Sequence, residues 1–263
     1  MLLKNKVAVI YGAGGAIGGA VARAFALEGA KLFLTGRQRA PLGVVAKEIV
    51  SAGGSAEVAE VDALDEKAVD NHLQSVIDGA GRVDISFNAI DVPIEKVAGA
   101  PLTEMDAEKF FLPIANYTRS YFLTARLAAR RMVQNKSGVI MTVTALTSRK
   151  GHAGNGGYGS SGAAKEALTR DLSAELAPLG IRVVGLRLNA MPETGTLREI
   201  FDLKGKAMGV TWEQFKQYLA STTHTQRVMV LEEAANMAVF MASDKASGMT
   251  GTTVNLTMGA LDD

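Results

Sequence analysis

Short apolar runs alternate with longer stretches in which apolar residues recur every three or four positions, along the whole chain. The short runs are typical of buried strands, and the longer stretches are typical of amphipathic helices. Strands are predicted at residues 7–11, 31–35, 56–61, 83–87, 139–143, 182–188 and 253–256. Helices are predicted at about residues 17–28, 41–50, 65–77, 106–136, 163–176 and 232–241. Because apolar strands alternate with helices, we predict an α/β fold with a doubly wound parallel sheet and helices on both faces.

Two stretches depart from this alternation. Pro113 lies within the longest predicted helix, where we expect it to kink or restart the helix. Residues 189–227 contain no convincing strand, although Thr211 and Gln214 have the spacing of a capping box that begins a short helix. An insertion of this length is typical of a binding element, so we expect a substrate lid at about 189–227. Since no linker interrupts the rest, we predict a single domain over residues 1–263.

Composition narrows the possible functions. The 28 Lys and Arg residues balance 27 Asp and Glu, so the net charge is +1 and no nucleic-acid partner is expected. The absence of Cys excludes a disulfide scaffold and a thiol nucleophile. The three histidines, His72, His152 and His224, are too far apart for us to expect a metal site. No apolar run reaches the about 18 residues of a membrane helix and no signal peptide is evident, so we expect a cytoplasmic protein without a membrane partner.

A glycine-rich turn follows the first predicted strand and opens the first predicted helix. Glycine permits a tight turn and a close approach of the backbone to a pyrophosphate, and the helix N-terminus offers free N–H groups. The residues expected to bind a dinucleotide here are Gly12, Gly14, Gly15, Ile17 and Gly18. The strand before the turn and the helix after it favour a Rossmann-type dinucleotide-binding domain over a turn without a ligand.

The end of the second predicted strand bears on the choice of cofactor. An NAD(H)-binding domain commonly carries an acidic residue about twenty residues after the first glycine, where it holds the ribose diol. This chain has no acid there and instead carries Arg37 and Arg39. A guanidinium group can bind a 2′-phosphate with two hydrogen bonds. We therefore predict NADP(H) as the cofactor in preference to NAD(H), with Arg37 contacting the phosphate.

The order of these motifs resembles the short-chain dehydrogenase/reductase superfamily over nearly the whole chain. Tyr11 stands where that family begins its glycine motif with Thr, and Asp62 matches the acid that caps the adenine pocket. Asn88 matches the middle of the family's Asn-Asn-Ala-Gly motif. Asn116 falls where the family has a helix asparagine that holds a proton-relay water. The resemblance implies hydride transfer with a nicotinamide cofactor.

The catalytic pair departs from the superfamily's usual Tyr-x-x-x-Lys pattern. Ser161 stands at the Tyr position relative to Lys165, whereas Tyr158 precedes Lys165 with six residues between them. This Tyr-x6-Lys spacing resembles the enoyl-thioester reductase branch of the superfamily. On one helix the two residues share a face but lie about 10.5 Å apart along the axis. The resemblance implies that Tyr158 donates to a substrate oxygen and that Lys165 holds the cofactor ribose.

Two further family positions are altered. Thirteen residues before Tyr158 the family has a serine, but this chain has Ala145. Ser148 is the first candidate for the missing hydroxyl, because it has the family's Ser-to-Lys separation from Lys165, and Thr144 is the second. The family's Pro-Gly after the sixth strand is also missing, which leaves Thr194 as the candidate contact to the cofactor amide.

We therefore expect an NADP(H)-dependent oxidoreductase that transfers hydride to a small apolar carbonyl or enoyl substrate. Two other classes remain open, because several family positions are altered together: a dinucleotide-binding protein without redox turnover, and a structural subunit. The family commonly assembles through its two long central helices, here predicted at 106–136 and 163–176. The resemblance thus implies a homo-oligomer, either a dimer or a tetramer.

Overall fold

Seven parallel strands form one sheet in the order β3-β2-β1-β4-β5-β6-β7 in the computed structural model, which describes residues 1–93, 96–206 and 208–262. The sheet confirms the predicted Rossmann-type α/β class. The chain leaves β1 toward one edge and returns to start β4 on the other side of β1, so the β1/β4 boundary is a topological switch point. The strands are β1 Val7–Tyr11, β2 Lys31–Gly36, β3 Ser55–Glu60, β4 Ile85–Asn88, β5 Gly138–Ala145, β6 Ile181–Leu188 and β7 Thr252–Leu256.

Helices cover both faces of this sheet. The helices are α1 Ala16–Leu27, α2 Arg39–Ser51, α3 Glu66–Ala80, α4 Ala107–Asn135, α5 Tyr158–Leu176, α6 Gly195–Ile200, α7 Trp212–Ser221 and α8 Leu231–Ala242. Helices α1, α2 and α8 share one buried apolar cluster with the sheet, and α3, α4 and α5 share another. The two clusters explain why the strands are apolar on both sides rather than alternating. No described helix combines the length and the apolar composition that crossing a membrane requires.

Helix α4 runs through Pro113 without a break, so of the two expected outcomes, a kink or a restart, the restart is not found. A proline inside a helix removes one backbone hydrogen bond and crowds the preceding turn. Pro113 is nevertheless buried, and a Cβ added at Gly157 would lie 3.1 Å from its Cγ. The packing of α4 against the start of α5 therefore outweighs the local preference of this residue.

Helix α5 begins at Tyr158, five residues earlier than the pattern of apolar residues predicts. The first turn is rich in glycine, which disfavours a helix in isolation. Here the glycines allow close packing, because a Cβ at Gly157 would overlap the carbonyl oxygen of Phe110 and one at Gly159 would lie 2.7 Å from the carbonyl oxygen of Thr147. Tyr158 is consequently part of a helix, and its separation from Lys165 is that of two helical turns.

The segment predicted as a lid contains two helices, α6 and α7, and a π-helical turn at Phe201–Gly205. The predicted capping box is confirmed, since the Thr211 side chain accepts from the Gln214 backbone and the Gln214 side chain accepts from the Thr211 backbone. Phe201, Trp212 and Phe215 pack against one another, with ring centroids 5.3 to 6.2 Å apart. An aromatic cluster thus joins α7 to the rest of the segment.

Candidate active site

The glycine turn is built tightly against the neighbouring strand. Gly12 has a φ of 78°, in the left-handed region that favours glycine, and a Cβ there would lie 2.5 Å from the carbonyl oxygen of Ala89. A Cβ at Gly18 would overlap the carbonyl oxygen of Gly12. A side chain at Gly12 would push the turn away from the end of β4, and one at Gly18 would push helix α1 away from the turn, which accounts for glycine at both positions.

Helix α1 starts without a competing anion. Gly15 is its N-cap, no side chain caps it, and its first turn contains no acidic residue. Gly15, Ile17 and Gly18 line the cavity described below, whereas Gly14 packs on Pro41. An uncapped helix N-terminus at a glycine turn provides N–H groups and a positive dipole end, which suits a phosphate group. The turn therefore fits the pyrophosphate of a dinucleotide.

A cavity of about 390 Å³ lies at the carboxyl ends of β1, β4, β5 and β6. This size falls within the range of ligand sites, and the cavity lies at the switch point of the sheet, where open α/β sheets bind their ligands. The cavity joins the glycine turn to both members of the predicted catalytic pair, Tyr158 and Lys165. The structure thus brings the two main sequence predictions into one site.

Arg37, Arg39 and Asp62 lie outside the residues that line this cavity, at the exposed carboxyl ends of β2 and β3. In the described part of the chain, neither arginine side chain forms an ion pair. Asp62 accepts a hydrogen bond from the backbone N–H of Leu64 at 3.0 Å. Glu60 accepts from the backbone N–H of Arg39 at 3.0 Å, so its carboxylate is engaged at the start of α2.

Asn88 lies next to the cavity wall but does not line the cavity itself. Its side chain is buried, donates to Thr124 Oγ1 at 3.1 Å, and accepts from the backbone N–H of Ile90 at 3.4 Å. The cavity wall itself is formed by the next two residues, Ala89 and Ile90. Asn88 therefore holds the end of β4 against α4 and shapes the turn that follows.

Tyr158 and Lys165 share a wall built largely from aromatic rings. The Tyr158 ring packs edge-on to Tyr117, with centroids 5.9 Å apart. Lys165 is almost completely buried, and its Nζ donates to the carbonyl oxygen of Val143 at 2.7 Å. The same ammonium lies over the rings of Tyr117 and Tyr121, 5.6 and 5.9 Å from their centroids. One backbone acceptor and two cation–π contacts thus compensate only part of its loss of water.

The two ionisable groups respond to burial in opposite directions. Burial raises the pKa of the Tyr158 phenol well above its ordinary value, and the nearby Asp91 carboxylate raises it further. Burial lowers the pKa of the Lys165 ammonium to about 7, although Asp91 acts against this shift. Desolvation disfavours the charged form in both cases. The phenol is consequently protonated at neutral pH, as a hydrogen-bond donor must be.

Neither candidate hydroxyl at the end of β5 is free. Ser148 Oγ donates to Glu166 Oε1 at 2.5 Å, and Thr144 Oγ1 donates to the same oxygen at 3.0 Å. Glu166 in turn forms a buried ion pair with Arg187. Thr144 lines the cavity, whereas Ser148 does not. The Ser148 hydroxyl therefore does not line the cavity beside Tyr158 and Lys165, because the buried carboxylate holds it.

Of two further predicted site residues, Asn116 and Thr194, only Thr194 lines the cavity. Asn116 is half-buried but does not line the cavity; the next residue on α4, Tyr117, does. Thr194 lines the cavity and is the N-cap of α6, where its Oγ1 donates to the carbonyl oxygen of Met191 at 2.8 Å and accepts from the backbone N–H of Leu197 at 3.3 Å. The Thr194 hydroxyl is therefore largely committed to the start of α6.

Sequence reasoning missed Asp91 and Tyr117, which both line the cavity. The Tyr117 hydroxyl donates to Asp91 Oδ1 at 2.5 Å. Asp91 follows the Asn88 motif by three residues and Tyr117 adjoins the predicted helix asparagine, so both stand beside recognised positions. No described group of three or more His, Cys, Asp or Glu residues has an arrangement that could hold a metal ion.

The fold and the position of the cavity define a Rossmann-type α/β protein. The family described as enoyl-(acyl carrier protein) reductase matches residues 12–260. "Uncharacterized oxidoreductase YxbG" of Bacillus subtilis (strain 168) is 30% identical, over 98% of this chain and 92% of that protein. 7alpha-hydroxysteroid dehydrogenase of Escherichia coli (strain K12) is 27% identical, over 99% of this chain and 96% of that protein. NAD+-bound xylitol dehydrogenase superposes with a TM-score of 0.90 at 25% identity, covering 97% of this chain and 99% of that one.

The chain therefore belongs to the short-chain dehydrogenase/reductase superfamily and is an oxidoreductase of that superfamily. The resemblance to this superfamily is confirmed. The matched family carries the name of an enoyl reductase, whereas the steroid and xylitol relatives are named dehydrogenases. Membership thus establishes the type of enzyme and leaves the substrate to be argued from the site.

Proposed function

We propose that this protein is an NADP(H)-dependent oxidoreductase that transfers hydride to a small apolar carbonyl or enoyl substrate. The observation that carries the proposal is that one cavity joins the glycine turn at Gly15 to Tyr158 and Lys165. A nicotinamide cofactor supplies the hydride when bound, and the protein supplies position, a proton donor and exclusion of water. The xylitol dehydrogenase relative binds NAD+, which supports a cofactor of this class.

Tyr158 is assigned the role of donor to the substrate oxygen. Its phenol borders the cavity and is protonated at neutral pH, so it can donate to the substrate oxygen as negative charge develops there. Lys165 is assigned the role of ribose anchor, for which two of its three N–H donors remain after the bond to Val143. Because Thr144 and Ser148 both donate to Glu166, neither hydroxyl is assigned as a second donor to the substrate oxygen.

Apolar side chains form the substrate side of the cavity. They come from the loops after β4, β5 and β6, and from the segment around α6. They are Ile90, Ala98, Leu146, Met191, Leu197, Ile200 and Leu203. A wall of this composition favours an apolar substrate, because each buried CH₂ group of the substrate contributes about 0.8 kcal/mol. The proposal therefore favours a hydrocarbon-rich ketone or enoyl thioester.

Arg37 supports the preference for NADP(H). It is exposed at the carboxyl end of β2, where the 2′-phosphate of a dinucleotide on this fold would lie. Glu60, the nearest acid on β3, already accepts from the Arg39 backbone. An arginine without an ion-pair partner in the described residues is available to the phosphate.

Residues 189–227 are proposed to act as the substrate lid of a single domain over residues 1–263.

We also propose a homo-oligomer, a dimer or a tetramer, through α4 and α5. Phe111 and Phe122 on α4 are 58% and 39% exposed, which is unusual for phenylalanine on a helix that borders the core. Light scattering of the purified protein tests this, and a monomer at micromolar concentration would contradict it.

The experiment that tests the function follows NADPH oxidation by absorbance with a panel of apolar ketones and enoyl thioesters. Turnover with NADPH that exceeds turnover with NADH supports the proposal. A dinucleotide-binding protein without redox turnover is the second candidate, because Glu166 engages the hydroxyls of Thr144 and Ser148, the two candidates for stabilising an oxyanion. NADPH binding without oxidation across the panel would favour that candidate, and no binding of either cofactor would overturn both.

A further inference from the structure

Asp91 connects two opposite walls of the cavity. Its Oδ1 accepts from the Tyr117 hydroxyl on α4 at 2.5 Å, and its Oδ2 accepts from the Thr196 hydroxyl on α6 at 2.9 Å. These partners are 26 and 105 positions away along the chain. The Asp91 carboxylate thus uses one oxygen for each side of the cavity. It joins the wall formed by Tyr117, Tyr158 and Lys165, the catalytic wall, to the proposed lid.

The Tyr117 arm of this bridge, which is the hydrogen bond from Tyr117 to Asp91, affects the position of the catalytic wall. The Tyr117 oxygen also accepts from the backbone N–H of Val92 at 2.9 Å, so its phenol is held at two points. The ring of Tyr117 packs on Tyr158 and lies under the Lys165 ammonium. A hydrogen bond that fixes the Tyr117 hydroxyl therefore also fixes the surface on which Tyr158 and Lys165 rest.

The Thr196 arm, which is the hydrogen bond from Thr196 to Asp91, affects the position of α6 on the substrate side of the cavity. Helix α6 and the π-helical turn that continues it span only residues 195–205, and isolated helices shorter than about 12–15 residues are marginal in water. The position of α6 must therefore depend on contacts at its first turn and beyond its end. Leu197 and Ile200 of α6 line the cavity. The Arg198 guanidinium stacks on Trp212, with its Cζ 3.7 Å from the ring centroid.

We propose that Asp91 is a positioning residue that holds α6 over the cavity through Thr196 and holds the Tyr158–Lys165 wall through Tyr117. Binding of the substrate against α6 and alignment of the donor are then set by one carboxylate. The kinetic consequences rest on the proposed function. The position of α6 in the ligand-free protein does not depend on the proposed function, so it can be measured separately.

Trp212 reports on α6 without any ligand. It is the one tryptophan in the chain, it is half-buried, and it touches Arg198 of α6. Acrylamide quenching of its fluorescence is expected to increase at least twofold in Asp91→Ala and in Thr196→Val, because α6 loses its tie to the loop after β4. Thr196→Ser keeps the hydroxyl and should quench as the wild type does. Tyr117→Phe, which cuts only the other arm, should also leave quenching unchanged.

A matched control is Thr222→Val, which removes an exposed threonine hydroxyl from the same segment without touching Asp91. This variant should quench as the wild type does. Wild-type quenching in Asp91→Ala, or equal effects of Thr196→Ser and Thr196→Val, would overturn the proposal.

Steady-state kinetics with NADPH and a reducible ketone separate the two arms. Thr196→Val should raise KM for the ketone about fivefold or more and change kcat less than KM. Tyr117→Phe should lower kcat about tenfold or more and change KM less than kcat. Asp91→Ala should show both effects, and the same split in all three variants would contradict separate arms. If the wild type turns over no substrate, the proposed function fails, and the quenching measurements still decide the role of Asp91.

Discussion

Glu166 of α5 and Arg187 of β6 form a two-pronged ion pair inside the protein, with Nε to Oε1 at 2.9 Å and Nη2 to Oε2 at 2.8 Å. Burial opposes ionisation of Glu166, but hydrogen bonds from Arg187, Ser148 and Thr144 outweigh it and hold the pKa of the carboxyl below its ordinary value. The pair therefore fixes the carboxyl ends of β5 and β6 beside the cavity and occupies both hydroxyls of that region.

Breaking this pair should strongly destabilise the protein. Arg187→Met leaves a buried carboxylate without its cation, and losses of about 3–5 kcal/mol are typical of such changes. Urea unfolding followed by circular dichroism measures the loss. The double variant Glu166→Leu/Arg187→Met removes both charges and is expected to be more stable than Arg187→Met alone; an equal or larger loss would show that the charges are not the reason.

Cofactor affinity should fall as the pH rises through about 7. Burial lowers the pKa of Lys165 to about 7, so the ammonium proposed to hold the ribose is charged below that pH and neutral above it. We expect NADPH to bind more tightly at pH 6 than at pH 8, as measured by fluorescence titration. In Lys165→Met this dependence should disappear, and a slope that persists in that variant would assign the effect to another group.

Tyr158→Phe should lower kcat by about 10²–10³-fold while leaving NADPH affinity nearly unchanged, because the phenol stabilises charge that develops only during the reaction. Lys165→Ala should lower both kcat and NADPH affinity. Ser161→Ala is the informative comparison, since Ser161 Oγ donates to the backbone carbonyl of Tyr158 at 2.7 Å. A larger loss of activity in Ser161→Ala than in Tyr158→Phe would mean that the donor was misassigned.

Arg37→Ala should weaken NADPH binding by about 1–3 kcal/mol, the range of a charge-assisted contact. NADH lacks the 2′-phosphate, so its affinity serves as the internal control and should not change. Titrating both cofactors against wild type and variant gives the four dissociation constants. Equal wild-type affinities for NADPH and NADH would remove the case for NADP(H).

Gly18→Ala should abolish or severely weaken cofactor binding, because the new Cβ would overlap the carbonyl oxygen of Gly12 and displace the turn. Gly43→Ala is the matched control on α2, where a Cβ meets no atom within 4 Å. That substitution should instead stabilise the protein by about 0.5–1 kcal/mol. Thermal unfolding and NADPH titration of both variants check the contrast, which fails if the two variants behave alike.

The sequence predicted the strands, most helix boundaries and the glycine turn, because these depend on residues that are close together along the chain. Periodicity locates an amphipathic helix, and a strand followed by glycines and a helix specifies the turn. The same reasoning allowed a restart at Pro113, which the structure does not show, and placed the start of α5 five residues too late. In both places contacts between α4 and α5 outweighed local preference, and no single segment reveals such contacts.

The sequence by itself determined the Rossmann-type class and the proximity of the glycine turn to the Tyr158–Lys165 pair, since parallel strands bring their carboxyl ends to one edge. Only the tertiary structure decided which polar atoms face the cavity. Ser148 turns to Glu166, 18 positions away, and Asp91 joins Thr196 across 105 positions. The orientation of a side chain at the end of a strand depends on which partner satisfies its hydrogen bonds, and those partners come from other elements of the fold.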